Sequence, residues 1–453
     1  MNILNTSNAA GLPLASEQRT IAHAPTLQVN GDRLMDMLHT IGTIGQLPNS
    51  GVRRLAFSPE DIQARQQVRN WMVAAGMTVT IDTAGNMTGR YPGRYPQAPA
   101  LATGSHLDTV PNAGIYDGTY GVLAGLEVVR TLHEQGIQLD HPLEVIVFAD
   151  EERTMIGSKA MAGQASLDPE YYAHPHYDPI IESVNRIGGD WPHLSHARRT
   201  PHSMAAFVEL HVEQGPVLET MKAEIGLVTG IVGQRRYTIT VEGRASHAGT
   251  TPMMMRQDAL VAAAQVILAV NQIGIADDDG ILNDEHGGDR GGEQVATVGA
   301  IKVSPNVANT IPGYVELSLD IRDLSNRYLD HMLIKLEQEL EAIASATQTT
   351  ISFKPQLRNE PAPVNSHIYN TIEQVCHTLG LSTYALPSRA SHDAQIIANI
   401  TDMGMIFVPS ENGISHSETE YTAPKYCIQG TNVLLQTLLQ LDQHYGCPEG
   451  SNL

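Results

Sequence analysis

Residues 143–152 read LEVIVFADEE, and this stretch indicates both the fold class and the place of a functional site. Its first seven residues form a short, mainly apolar run, with the length and composition of a strand buried inside a sheet. The run ends abruptly in Asp150, Glu151 and Glu152. A buried strand that ends in three carboxylates places negative charge at the edge of the sheet, where the carboxylates can bind a metal ion or accept a proton.

The segments before this stretch predict how the sheet is built. Residues 100–106 read as a second buried strand, and residues 118–135 read as a helix with an apolar face. A buried strand, a helix and another buried strand in succession predict an α/β fold, with a mainly parallel sheet covered on both faces. Sites in such sheets form beyond the carboxyl ends of the strands, which is where the three carboxylates lie.

Other potential metal ligands also lie at or just after predicted strands. They are His106 and Asp108 in GSHLD, Asp117 in YDG, His211 in ELH and His416 in SHS. This inventory suits two divalent metal ions bridged by a carboxylate. Asp117 lies where the chain must turn into the following helix, and a carboxylate there can bridge two ions about 3.5–4 Å apart.

The paired glutamates predict a division of roles. Neighbouring side chains on an extended chain point in opposite directions, so one of Glu151 and Glu152 can bind metal while the other faces the water as a general base. Asp108 follows His106 by two residues, so its carboxylate is predicted to hold the second nitrogen of that imidazole.

The composition limits the possible partners and compartments. A formal net charge of −21 argues against nucleic acid and against an anionic membrane as a partner. No apolar run approaches the length of a transmembrane helix. The three cysteines are far apart and form no CxxC motif, which is typical of a reducing compartment and favours a cytoplasmic protein. Residues 1–28 lack the basic start and apolar core of a signal peptide, and we interpret them as a flexible extension.

The length of 453 residues predicts two domains. Residues 29–226 and 359–446 contain the alternation of strands and helices and all the potential ligands, so we interpret them as one discontinuous domain. Residues 227–358 have the order βαββαβ, which predicts a ferredoxin-like α+β unit inserted into the first domain. Within that unit, residues 294–303 are predicted as one strand and the acidic residues 277–292 as a mobile loop.

Several motifs, taken together, resemble a known family. The motifs GSHLDTV (104–110), YDG (116–118), EE (151–152) and VELHVEQG (208–215) resemble those of the M20 metallohydrolases. Residues 232–253 (VGQRRYTITVEGRASHAGTTPM) and 407–417 (FVPSENGISHS) resemble, more narrowly, the amidase, hydantoinase and carbamoylase branch. The resemblance extends from about residue 30 to about residue 440. It implies a zinc-exopeptidase-like catalytic domain and an inserted lid domain through which two chains form a homodimer.

The resemblance also implies a role for each ligand. One divalent metal ion would be held by His106, Asp117 and His211, and the other by Asp117, Glu152 and His416. The ions would be Zn, Mn, Co or Ni, and Glu151 would be the general acid/base. Because the peptidases of the superfamily use a carboxylate where this chain has His211, the resemblance favours ureido and amide substrates over peptides.

Five further residues resemble those that contact the substrate in this branch. Gln214 and His392 would line the pocket of the catalytic domain. His247 resembles a lid residue that reaches the site of the neighbouring subunit and stabilises the oxyanion. Asn309 and Arg322 resemble lid residues that grip the carboxylate of the substrate.

Two segments depart from the pattern of the branch. Residues 153–158 read RTMIGS, so the loop after the glutamate pair is shorter and lacks an aromatic residue. Residues 388–391 read SRAS, where relatives often have small, Gly-rich residues. Both segments lie near the predicted pocket, so they leave the metal chemistry unchanged and the identity of the substrate open.

The predicted function is hydrolysis of the ureido C–N bond of an N-carbamoyl-L-amino acid, a small carboxylate-bearing ureido substrate, with release of ammonia and carbon dioxide. Three alternatives remain open: an allantoate amidohydrolase, an M20-type dipeptidase and a non-catalytic binding relative. A non-catalytic relative would be expected to lack Glu151 or a metal ligand, whereas this chain retains all of them.

Overall fold

The computed structural model describes residues 27–48, 50–201, 203–275 and 294–446. Most of the predicted N-terminal extension and the whole of the predicted acidic loop lie outside the described residues. Among the helices that the structure describes, none is both long enough and apolar enough to cross a membrane.

The described helices and strands account for nearly all the predicted elements. The helices are α1 (Gly31–Gly42), α2 (Pro59–Ala74), α3 (Thr119–Glu134), α4 (Ile156–Met161), α5 (Ile180–Arg186), α6 (Val217–Met221), α7 (Ala259–Ile275), α8 (Asn326–Thr347), α9 (Ser366–Leu379), α10 (Asp393–Ile397) and α11 (Pro424–Tyr445). The strands are β1 (Thr78–Ile81), β2 (Met87–Tyr91), β3 (Ala100–His106), β4 (Leu143–Phe148), β5 (Met204–Val212), β6 (Ile225–Ile231), β7 (Gly233–Glu242), β8 (Ser246–His247), β9 (Val295–Thr297), β10 (Ile301–Ser304), β11 (Thr310–Ile311), β12 (Tyr314–Asp323), β13 (Thr350–Asn359), β14 (Ala362–Pro363), β15 (Thr383–Ser388) and β16 (Asp402–Val408).

The larger sheet has the strand order β1-β2-β4-β3-β5-β16-β6-β14, with β15 paired to β6. The central strands β4, β3, β5 and β16 run parallel to one another, and antiparallel pairs flank them. Every residue of β3 and β4 is buried, because one core that includes α3 and α11 and another that includes α4 and α10 cover the two faces. This arrangement confirms the predicted α/β fold with a mainly parallel sheet.

The parallel centre of the sheet brings the carboxyl ends of its strands together at one edge. His106 is the last residue of β3, and His211 is the last but one of β5. The two glutamates follow β4 within four residues. The predicted ligands therefore meet because of strand direction, although more than one hundred residues of chain separate His106 from His211.

Arg54 holds the loop after β3 in place. Its side chain is completely buried and donates hydrogen bonds to the carbonyl oxygens of Leu107 (2.6 Å), Ile41 and Ile44 (3.1 Å each) and to the hydroxyl of Thr119 (2.9 Å). Burial lowers the pKa of this guanidinium to about 10. The side chain thus connects the end of α1 and the start of α3 to the segment that follows His106.

A second sheet, of order β10-β12-β7-β13 with β9 beside β12, lies within residues 233–359. Neighbouring strands are antiparallel, and α7 and α8 cover the apolar face. This order is that of a ferredoxin-like split unit. The predicted single strand at 294–303 is wrong, because β9 and β10 are separate strands. Thr297 pairs with Asp320 and Ile301 with Leu317, so one extra residue interrupts the ladder as in a β-bulge.

Candidate active site

A cluster of imidazoles and carboxylates lies at the carboxyl edge of the parallel strands. The Nε2 atom of His211 is 3.2 Å from Oδ1 of Asp117, and the Nε2 atom of His106 is 3.8 Å from the same oxygen. The Nε2 atom of His416 is 3.1 Å from the other oxygen, Oδ2 of Asp117. One buried carboxylate therefore faces three imidazoles, two through one oxygen and one through the other.

The two buried imidazoles have their second nitrogen held by the main chain. The Nδ1 atom of His106 is 2.9 Å from the carbonyl oxygen of Asp108, and the Nδ1 atom of His211 is 2.9 Å from that of Val212. Carbonyl oxygens only accept, so each Nδ1 carries a proton, and Nε2 is the nitrogen that each ring can offer to a metal ion. The predicted partner of His106, the Asp108 carboxylate, instead accepts from the main-chain N–H of Glu152 at 3.2 Å.

The glutamate pair does not lie on an extended chain, so the reason given for its divided roles is wrong. The chain turns sharply after β4, where Asp150 has a φ of 57°. The two side chains nevertheless reach different imidazoles. Oε2 of Glu151 is 3.6 Å from Nε2 of His106, and Oε2 of Glu152 is 3.6 Å from Nε2 of His416. The turn rather than strand alternation separates them.

Like charges crowd this cluster. Burial, and then the carboxylates of Asp393 and Glu152, raise the pKa of Glu151 well above its usual value. Burial and the carboxylate of Asp117 raise the pKa of Glu152 to about 7. Burial lowers the pKa of His106, but nearby carboxylates, first that of Asp108, outweigh it and raise this pKa to about 9. Negative charge therefore dominates the electrostatics of the cluster, which favours the binding of protons or other cations.

The donor set fits divalent metal ions. Two groups of residues have ligand atoms within 4.8 Å of one another and share Asp117: they are His106, Asp117 and His211, and Asp117, Glu152 and His416. Oε1 of Glu152 and Oδ1 of Asp108 are buried with no hydrogen-bond partner among the described residues. Buried carboxylate oxygens are normally satisfied, and cations bound between these groups would satisfy their charge. The two groups coincide with the predicted ligand sets.

Gly118 makes room for the imidazole of His106. This residue directly follows Asp117 and has a φ of 62°, a conformation that favours glycine. A Cβ atom at this position would lie 2.4 Å from the Nε2 and Cε1 atoms of His106. The turn that places Asp117 in the cluster therefore has no space for a residue larger than glycine at position 118.

Two of the predicted substrate residues, Gln214 and His392, lie against the cluster. The amide nitrogen of Gln214 donates to Oδ2 of Asp117 at 2.9 Å, while its Oε1 is buried without a partner among the described residues. The ring of His392 is 4.5 Å from that of His211, and its Nε2 is 3.0 Å from the hydroxyl of Ser388. Burial and the neighbouring His211 lower the pKa of His392 well below its usual value, so this ring is neutral.

The other predicted substrate residues lie on the second sheet and its connections. His247 pairs with Thr310 in the β8–β11 ladder, directly beside Asn309. The Nδ1 atom of His247 accepts from the N–H groups of Gly249 (3.0 Å) and Thr250 (3.3 Å). Within the described residues, neither His247 nor Asn309 forms a hydrogen bond or ion pair with the cluster. Whether they act in a site stays a prediction.

Sequence reasoning missed Glu420, which connects the two loops that carry Asp117 and His416. Its Oε2 accepts from the N–H groups of Tyr116 (3.3 Å) and Asp117 (3.5 Å). Burial and the Asp117 carboxylate raise the pKa of Glu420 to about 8. In the sequence it is one of several acidic residues in a polar loop, so no local signal separates it from a solvated carboxylate such as Glu411.

Sequence reasoning also gave no role to Glu209, which lies two residues before His211. Its side chain is completely buried, and its two oxygens accept from the hydroxyl of Ser105 (2.7 Å) and the N–H of Ala394 (3.0 Å). It therefore connects β3, β5 and the start of α10 behind the cluster. Its spacing of two residues from His211 on one strand places both side chains on the same face, and this signal was available in the sequence.

Comparison with known proteins identifies the family. Residues 102–440 match the model described as Peptidase family M20/M25/M40. The chain belongs to this family. M20 hydrolases use divalent metal ions, in agreement with the two groups of ligand atoms that share Asp117.

Curated relatives match almost the whole of this M20 chain. An N-carbamoyl-L-amino acid amidohydrolase of Geobacillus stearothermophilus is 39% identical over 422 residues, covering 92% of this chain and 99% of the relative. The allantoate amidohydrolase of Escherichia coli K12 is 34% identical over 414 residues, covering 90% of this chain and 97% of the relative. The protein is therefore an M20 hydrolase whose relatives include amidohydrolases with different substrates.

A solved structure agrees with the fold. An amidase of the hydantoinase/carbamoylase family from Burkholderia multivorans superposes with a TM-score of 0.82 at 36% sequence identity. The match covers 92% of this chain and 99% of that chain. The path of the M20 chain described above is thus that of a known amidase.

Replacing Gly118 tests whether the turn after Asp117 sets up the metal ligands. Gly118→Ala should displace the His106 ring and weaken metal binding by about tenfold or more, the size of effect known for residues that orient metal ligands. Metal per subunit, measured by equilibrium dialysis and elemental analysis, would report this change. Gly136→Ala is a matched control, because Gly136 has a similar φ of 64° but no atom within 4 Å of its Cβ position. Equal metal binding by the two variants would contradict the assignment.

Proposed function

We propose that this M20 hydrolase cleaves the ureido C–N bond of N-carbamoyl-L-amino acids and uses two divalent metal ions. The observation that carries the proposal is the arrangement around Asp117, whose two oxygens serve two ligand groups while Glu151 lies beside one of them. The relative at 39% identity with this activity in its name supports the substrate class. Two free, buried thiols, Cys376 and Cys427, support a reducing compartment such as the cytoplasm.

Glu151 and Gln214 have separate roles in the proposed reaction. When bound, the two ions would polarise the ureido carbonyl and activate a water molecule. Glu151 takes the proton of the attacking water on its carboxylate and passes it to the leaving nitrogen. Burial and the neighbouring carboxylates raise the pKa of Glu151, which makes its carboxylate a stronger base for the proton of the water. The amide of Gln214 donates to Oδ2 of Asp117 and so restrains the carboxylate that the two ligand groups share.

We propose that His247 stabilises the oxyanion from the lid of a neighbouring subunit. Because its Nδ1 accepts two main-chain N–H groups, the ring in its neutral form carries its proton on Nε2. No hydrogen bond among the described residues occupies this N–H, so it can donate to a substrate. A hydrogen-bond donor is what a developing oxyanion requires. His247 is exposed, which suits a residue that serves a site on another chain.

A homodimer through the lid domain, residues 227–358, is supported by apolar side chains on its surface. Met253, Met254 and Met255 are 76%, 91% and 69% exposed and lie a few residues after His247. Leu268 on α7 and Ile301 on the edge strand β10 are also exposed. A second copy of the chain would cover these apolar surfaces and place His247 near a second site.

Allantoate hydrolysis is the second candidate function. The 34% identical relative with that activity supports it, since its match covers nearly as much of the chain. Both candidate substrates bear a carboxylate beside a ureido group, so they require the same chemistry. A peptide is the weaker candidate, because His211 stands where the peptidases of the superfamily use a carboxylate.

A substrate panel tests the proposed activity. Metal-loaded protein should release ammonia from N-carbamoyl-L-amino acids with a larger kcat/KM than from allantoate, and it should cleave dipeptides least. Chelation should abolish activity, and Mn, Co, Ni or Zn should restore it to different degrees. A protein treated with chelator and then reloaded serves as the control for damage. If allantoate has the largest kcat/KM, the second candidate replaces the first.

The neighbouring glutamates provide a matched pair of variants. Glu151→Gln keeps the size of the side chain but cannot accept a proton, so kcat should fall by about 10²–10⁴-fold while metal content stays unchanged. Glu152→Gln should instead lose bound metal, measured by elemental analysis. Loss of metal in the Glu151 variant with retention in the Glu152 variant would reverse the two assignments.

Subunit exchange tests the role of His247. Glu151→Gln and His247→Ala should each be inactive alone, yet a mixture that exchanges subunits should regain part of the activity, because one site of each hybrid dimer would be intact. Exchange would be verified with differently tagged subunits. Absence of recovery despite proven exchange would mean that His247 acts within its own chain or not at all.

A further inference from the structure

Arg322, which is predicted to bind the substrate carboxylate, already donates hydrogen bonds to two other residues. Its Nε donates to Oδ1 of Asp320 at 2.9 Å, and its Nη2 donates to Oδ2 of Asp320 at 3.3 Å. Its Nη1 donates to the carbonyl oxygen of Arg389 at 2.5 Å. Asp320 therefore occupies the side of the planar group formed by Nε and Nη2. Since a guanidinium has five N–H donors, the outer edge, formed by Nη1 and Nη2, can still donate to another acceptor.

Asp320 accepts hydrogen bonds from three residues on the polar face of the second sheet. Besides Arg322, it accepts from Nε2 of Gln234 at 2.5 Å and from Nε of Arg236 at 2.8 Å. Gln234 and Arg236 lie on β7, directly across from Arg322 and Asp320 on β12. Two guanidinium groups around one carboxylate leave a local charge of about +1, so the group still attracts an anion. Burial raises the pKa of Asp320, but hydrogen bonds from Arg322 and Arg236 outweigh it and keep this carboxyl ionised.

The outer edge of Arg322 faces the catalytic domain. Its acceptor, the carbonyl of Arg389, belongs to the segment that connects β15 to α10. His392 follows three residues later, and its ring packs against that of His211 in the metal-ligand cluster. The hydrogen bond to Arg389 therefore connects Arg322 to the segment that carries His392, and through His392 to the metal-ligand cluster of the same subunit.

We propose that Asp320 is a positioning residue, which holds the guanidinium of Arg322 so that its outer edge receives the substrate carboxylate at the place now taken by the Arg389 carbonyl. This inference rests on the proposed function, in which Arg322 binds that carboxylate. Asp320 does not touch the substrate. It fixes the plane of a side chain that would otherwise sample many rotamers, and an oriented guanidinium binds a carboxylate through two parallel hydrogen bonds.

The direction of the change in KM shows whether Asp320 orients Arg322 or acts only through its negative charge. Asp320→Asn removes a negative charge and raises the local charge from about +1 to about +2, which by Coulomb attraction alone should lower KM for an anionic substrate. If Asp320 orients Arg322, the same variant should raise KM, by about tenfold, the factor to which 1.4 kcal/mol corresponds. The two explanations therefore predict opposite signs.

The experiment compares metal-loaded wild type, Asp320→Asn and a control on an N-carbamoyl-L-amino acid and on its uncharged amide. Glu316→Gln is the matched control, because it removes the same charge from the same strand. Among the described residues, the Glu316 side chain pairs with Lys302 at 2.8 Å and with Tyr314, both at the surface. We expect Asp320→Asn to raise KM for the acid substrate, with kcat, KM for the amide, melting temperature and metal content near those of wild type. The control should leave KM for the acid substrate nearly unchanged.

A double variant tests whether the effect passes through Arg322. In an Arg322→Lys background, Asp320→Asn should add little to KM, because the group that it orients is absent. An unchanged or lowered KM in Asp320→Asn, or equal losses on acid and amide substrates, would overturn the inference. Failure of the proposed function would be distinct, since wild type would then not turn over the N-carbamoyl-L-amino acid at all.

Discussion

The burial of several carboxylates around Asp117 is the constraint on which the rest of the site depends. Asp117 is nearly inaccessible to solvent, and Glu151 and Glu152 lie within reach of the same imidazoles. Charges of one sign cannot remain buried together unless cations or protons compensate them. The site is therefore built to bind cations, and the fold supplies the rigid edge of the sheet that keeps the ligands close before a metal ion arrives.

The surrounding structure holds this unfavourable arrangement in place from several directions. Glu420 connects the loops of Asp117 and His416, Glu209 connects β3 to α10, and Arg54 fixes the segment after β3. Gly118 leaves the space that the His106 ring occupies. The hydrogen bonds of Glu420, Glu209 and Arg54 join segments that are distant in the chain, so the geometry of the ligands depends on several parts of the fold rather than on any one loop.

The two sheets contribute opposite charges to the proposed reaction. The edge of the larger sheet provides the carboxylates and imidazoles, whereas the second sheet provides the guanidinium groups of Arg236 and Arg322 around Asp320. An anionic substrate placed between them would meet metal ions at its ureido end and an oriented guanidinium at its carboxylate end. Such a division agrees with relatives whose names specify ureido substrates that bear a carboxylate.

The sequence alone predicted the parallel α/β fold and the ferredoxin-like unit, because the periodicity of strands and helices is a local pattern. The two ligand groups were predicted from the resemblance of several motifs to a known family. Only the tertiary structure decided what those residues contact. In the structure, the partner of His106 is the main-chain carbonyl of Asp108 and not its carboxylate. Arg322 donates hydrogen bonds to Asp320 and to the carbonyl of Arg389. The structure also revealed Glu420 beside Asp117, although 303 residues separate them. Contacts of this kind depend on the path of the chain and on the direction of each side chain, which local patterns do not encode.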